Sequence, residues 1–142
     1  MKLFEEYLRE GIIKKQTPDV SRAKSLIKEA EESYNVLTGI IERIGLNNQN
    51  ANYIIKNCYD IIMELIRAKM FLDGFSSSGI GAHESEVSYL KEIGFKDTEV
   101  EFADQLRYFR NGILYYGKSF DKEYAKKVLV FLNKIYKRLK NV

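Results

Sequence analysis

A single cysteine and a single histidine among 142 residues exclude an internal disulfide and leave no ligand set for a metal. One proline, at position 18, and apolar spacing of helical period throughout argue against a sheet. No apolar run approaches the ~18 residues needed to span a bilayer. The first residues, MKLFEEYLREG, are charged from the start, unlike a secretory signal. A cytoplasmic protein without membrane contact is expected. Internal repeats, linkers and low-complexity segments are also lacking.

What is present is the composition of an ordinary globular chain, 30% charged and 45% hydrophobic, long enough for one domain with a real core. The net charge of +3 is unevenly placed. Residues 118–142 hold eight Lys/Arg against two acids, so the preceding residues are net acidic. A basic C-terminal segment permits contact with nucleic acid or an acidic protein without demanding either.

Taken in order, Leu3, Phe4, Tyr7, Leu8 and Ile12 predict a short amphipathic helix. Thr17-Pro18 then reads as a hydroxyl cap followed by proline at the first helical position. Val20, Ala23, Ile27, Ala30, Tyr34, Leu37, Ile41 and Ile44 recur at alternating spacings of three and four, the seam of a long bundle helix that Gly45 ends. Asn50 is a candidate cap for a helix from about Ala51 to Asp73, apolar on more than one side and closed by Gly74. Cys58 lies within its apolar turns as a core residue.

Phe75 to Ala82, FSSSGIGA, is the longest irregular stretch and the best candidate for a mobile or functional loop. A short helix from His83 to Ile93 stops at Gly94. Asp97 or Thr98 caps the next, and Ser119 or Asp121 caps the last, which runs to about Lys140. The fold class expected is all-α, a single up-and-down antiparallel bundle of five to six helices over residues 1–142.

The stretch Phe102 to Gly117, FADQLRYFRNGILYYG, departs from bland bundle rules. At 100° per residue, Phe102, Leu106, Phe109 and Ile113 form an apolar arc, and Arg110 falls inside it. A guanidinium withdrawn from water without partners is very costly. Arg110 therefore pairs with a carboxylate on a neighbouring helix, or faces an anion in an open groove. Asp104, Tyr108, Asn111 and Tyr115 share the adjacent face.

Arg110-Asn111-Gly112-Ile113-Leu114-Tyr115-Tyr116-Gly117, followed by a spacer and a basic amphipathic helix, resembles the signature end of the HEPN domains. The resemblance covers roughly residues 50–140 in helix order. It implies a small helical bundle, usually a homodimer, acting as a ribonuclease toxin beside a minimal nucleotidyltransferase antitoxin or as a nucleotidyltransferase-associated domain. The ligand would be RNA or a nucleotide in a cleft around Arg110 and Asn111, with no cofactor and no metal.

The family's ribonuclease motif is arginine, a polar residue, and a histidine a few positions on. Arg110 and Asn111 match, but Tyr115 stands at the histidine position, and Gly117 stands where modified relatives carry a tyrosine. Metal-independent RNA cleavage needs a group that exchanges a proton near neutrality, which imidazole does and a phenol of pKa ~10 does poorly. His83, at a helix start, is the one imidazole that could substitute. The motif thus gives Arg110, Asn111 and Tyr115, and the position of its imidazole at a helix start adds His83, as candidate catalytic groups. Tyr108, Tyr116, Lys126 and Lys137 are candidate substrate contacts.

Gly79-Ile80-Gly81 is a weak phosphate-loop signal, with no strand expected before it and no Lys-Ser/Thr after it. The lysines of the last helix fall in one ~160° arc, which serves either as a solvated face or as phosphate attraction beside the site. The competing reading of the chain is a non-catalytic protein-interaction bundle with Arg110 as a structural ion pair.

Overall fold

The helical spacings resolve, in a computed structural model describing residues 1–141, into six helices and one small ribbon. In order these are α1 (Phe4–Arg9), β1 (Ile13–Lys15), α2 (Val20–Ile44), α3 (Ala51–Asp73), β2 (Phe75–Ser77), α4 (Ala82–Glu92), α5 (Asp97–Tyr116) and α6 (Lys122–Leu139). No helix among the described residues is long and apolar enough to cross a membrane.

The helix α3 is the hub because its apolar residues are not confined to one stripe. Ile54, Ile55, Cys58, Ile61, Ile62, Leu65 and Ile66 are each no more than 1% exposed. Complete burial of a side chain that size stabilises by about 1.5–3 kcal/mol before entropy is set against it. Cys58 belongs to this core, and burial pushes its thiol up to about 12, so it is inert near neutrality. The α2 seam packs beside α3 through Ala23, Ile27, Ala30 and Leu37, while its ends overhang at Val20 and Ile44.

The four long helices alternate in direction. A short turn over residues 45–50 reverses α2 into α3. An aromatic ladder joins α5 to α6, Phe102 to Phe131 at 4.8 Å and Phe109 to Tyr124 at 5.3 Å, which sets those two antiparallel. The start of α3 holds the turn between them: Asn52 Nδ2 donates to the Lys118 carbonyl at 2.8 Å, and its Oδ1 accepts from the Phe120 N–H at 2.8 Å. Tyr34 of α2 stacks on Tyr136 of α6 at 3.9 Å and closes the far side.

Five local expectations are corrected. The chain does contain a sheet, a two-stranded antiparallel ribbon pairing Ile13 with Ser77 and Lys15 with Phe75. The first part of the stretch 75–82 is therefore strand rather than loop. The ribbon continues past its strands, because Gln16 and Asp19 N–H groups donate at 2.9 Å to the carbonyls of Gly74 and Phe71. That pairing holds Thr17-Pro18 outside the helix, so Asp19 caps α2 instead, accepting from the Arg22 N–H at 3.0 Å. Asn50 precedes α3 but caps nothing with its side chain, which donates to the Gly45 carbonyl at 2.8 Å. Asp97 lies inside α5, whose first turn is closed by Glu99 accepting from the Lys96 N–H at 2.9 Å. Asp121 does cap α6, accepting from the Tyr124 N–H at 2.9 Å.

The short α4 is fixed by a buried charge. Glu86 is 1% exposed and takes two bonds from Arg67 of α3, at 2.8 and 3.0 Å, plus one from the Ser77 hydroxyl at 2.9 Å. Every oxygen of that carboxylate is thus engaged, as a buried charge requires.

Candidate functional site

Helix α5 ends because Gly117 takes the left-handed conformation, φ +64°, and its N–H turns back to the Gly112 carbonyl. The chain then doubles over the helix's own last turns before α6 begins. Between that return and the helix lies a groove of about 390 Å³, lined by Tyr108, Phe109, Asn111, Gly112, Tyr115, Tyr116, Lys118, Ser119 and Phe120. Phe109 and Phe120 pack on each other at 4.8 Å and form its floor.

Three tyrosines on its rim are open to solvent: Tyr108 is 68% exposed, Tyr115 71% and Tyr116 79%. Aromatic rings this accessible on one short helix segment are unusual for a residue type that dominates cores when buried. Asn111 supplies an amide with both donors and acceptors, and Lys118 supplies a cation at the return.

Arg110 looks the other way. Its Nη2 donates to Asp60 Oδ1 of α3 at 3.2 Å, and its side chain is 22% exposed. The guanidinium carbon lies 5.6 Å from the centre of the Tyr59 ring, within range of a cation–π contact. The pairing is incomplete, since Arg110 Nε and the Tyr59 hydroxyl are both buried without a partner among the described residues. Burial is also what pushes the Tyr59 phenol up to about 12, against the opposing pull of Arg107 and Arg110.

The candidates named from sequence therefore divide. Tyr108, Asn111, Tyr115 and Tyr116 come together along one groove. Arg110 is adjacent in sequence but turned toward α3. His83 is exposed at the second residue of α4, does not line the groove, and has no hydrogen bond to Arg110 among the described residues. Lys126 and Lys137 lie on the outer face of α6, both exposed, Lys126 paired with Glu123 at 3.4 Å, and neither lines the groove. Gly79 and Gly81 serve the turn after β2 with φ of +83° and +88°.

Sequence reasoning missed four participants. Asp60 is one of two acids, with Glu64, inside the apolar run of α3, and that was the available signal for a partner to Arg110. Lys118, Ser119 and Phe120 enter the groove only because the turn folds back, and no periodicity encodes that. Comparison with family models, curated proteins and solved structures finds no match to this chain, so the site is read from its own residues.

Proposed function

We propose that the chain is a HEPN-like module directed at single-stranded RNA or a nucleotide, and that the aromatic groove receives the base. The observation carrying this reading is the convergence of Tyr108, Asn111, Tyr115, Tyr116 and Lys118 on one cleft of about 390 Å³. Stacking on an exposed ring contributes about 1–3 kcal/mol per base and tolerates any sequence. The Asn111 amide supplies hydrogen bonds to a base edge, and Lys118 attracts the phosphate that follows.

Binding without cleavage is the form the geometry favours. The Arg110 guanidinium is engaged by Asp60, and no imidazole lines the groove. The toxin-side or nucleotidyltransferase-associated role implied by the motif, with a minimal nucleotidyltransferase as partner, belongs to the same proposal. A 5′-labelled single-stranded RNA titrated in anisotropy, without metal, tests it. The RNA is expected to bind and stay intact, and Tyr115→Ala to weaken binding about tenfold. Cleavage abolished by Arg110→Ala would instead mark an active ribonuclease.

A second reading, a non-catalytic protein-interaction bundle, draws on the Arg110–Asp60 contact as a purely structural ion pair. Under it Arg110→Ala lowers stability alone, and RNA at low salt does not bind.

A further inference from the structure

The outward stripe of α5 changes character halfway along. Asp97, Glu101, Asp104, Tyr108 and Tyr115 recur at spacings of four, three, four and seven residues and so stand in one ~60° arc. The first half of that stripe is acidic, and the second half is a wall of the aromatic groove. Tyr108 marks the border. With Phe109 it lines both the groove and a second cleft of about 580 Å³, where the residues before α1 and the end of α4 face the first half of α5.

A strand laid along the groove has two ways out. At the return stands Lys118, exposed, its ammonium paired with no carboxylate among the described residues. Past Tyr108 the surroundings are the reverse. The side-chain cations lining the second cleft are each engaged: Lys2 by Glu10 at 2.9 Å, Lys91 by Asp97 at 3.3 Å and Arg107 by Asp104 at 2.9 Å. Glu92 and Glu101 line the same cleft, are exposed, and have no ion-pair partner among the described residues. The positive end of the α5 dipole, which would draw a phosphate to this side, already has Asp97 and Glu99 in its first turn. Phosphate is thus attracted at one mouth of the groove and repelled at the other.

We propose that the groove receives the end of an RNA strand and not its interior, with the terminal base among the tyrosines and the backbone leaving over Lys118. An interior segment needs both exits and lays a phosphate beside Glu101 and Glu92, whereas a terminal nucleotide needs only one. This selectivity rests on the groove being a base site, and adds to that reading which part of the strand is held.

Linear oligouridine with hydroxyl ends and the same oligouridine closed into a circle, each labelled at an internal base, are titrated in anisotropy at low salt. The linear strand is expected to bind about tenfold more tightly than the circle. Raising the salt screens the acids and narrows the gap. Glu92→Lys combined with Glu101→Lys, at exposed positions outside the groove, brings the circle to within about twofold of the linear strand, and Glu101→Gln alone narrows the gap in part. Circular dichroism confirms that the helices of each variant are intact. Equal binding of circle and linear strand by the wild-type chain, or a gap that these substitutions leave unchanged, would overturn the proposal while leaving the base site standing. Absence of binding by either strand would overturn both.

Discussion

Among the described residues, Arg110 is held by one hydrogen bond to a carboxylate that is itself 54% exposed, and its Nε is buried without a partner. Such a pair stabilises only modestly, because Asp60 keeps much of its hydration. Arg110→Ala is expected to cost about 1–2 kcal/mol in urea denaturation while leaving RNA affinity at the groove within about twofold. Four residues along α3 from Asp60, Glu64 has its carboxyl pushed up to about 7, by burial first and then by the charges of Glu29 and Asp60. An unfolded glutamate releases its proton near 4.3, so the folded chain holds the extra proton between those values. The group therefore favours folding fully below about pH 4, progressively less as pH rises to about 7, and no further above it. Thermal unfolding between about pH 4 and 7 is expected to lose that slope in Glu64→Gln. At this scale the anomaly of Arg110 was legible from the wheel. Its partner was not, because which helix lies opposite is a tertiary fact.

Among the elements, the long helices were legible and the ribbon was not. The seam of α2 repeats over 25 residues, long enough for period to speak. The strands β1 and β2 are three residues each and carry no alternation worth reading, and their pairing joins segments some sixty residues apart. The same pairing explains why Pro18 does not start α2. Gly74 is the residue on which this junction turns. It ends α3 at φ +84°, and a Cβ there would sit 2.7 Å from the Gln16 carbonyl oxygen. Left-handed geometry costs about 1–2 kcal/mol for an L residue, and backbone rather than a yielding side chain is in the way. Gly74→Ala is expected to destabilise by about 2–4 kcal/mol in urea melts, whereas Asp19→Ala, a lost cap, costs about 1 kcal/mol. Equal effects for the two would contradict this account of the junction.

Across the whole molecule, the basic excess of the C-terminal segment is partly consumed by the fold. Lys134 pairs with Glu99 at 2.7 Å, and Arg138 lies 3.6 Å over the Phe95 ring. Lys126 and Lys137 face outward from α6 and do not line the groove, so they act on a bound phosphate only at a distance. Replacing both by alanine is expected to weaken RNA binding less than Lys118→Ala does, and the difference to shrink as salt rises. The shared face of Tyr108, Asn111 and Tyr115 was readable from helical geometry. That it becomes a groove depends on Asn52 holding the Lys118–Phe120 return, a contact between residues 66 and 68 positions apart.

Entry of RNA by the tyrosine groove, rather than at Arg110, is tested most directly by amide chemical-shift mapping with a short single-stranded RNA. The largest shifts are predicted at Tyr108, Asn111, Tyr115, Tyr116 and Lys118, with Asp60 and Glu64 little moved. Shifts confined to Arg110, Asp60 and the outer face of α6, or none at low salt, would contradict it.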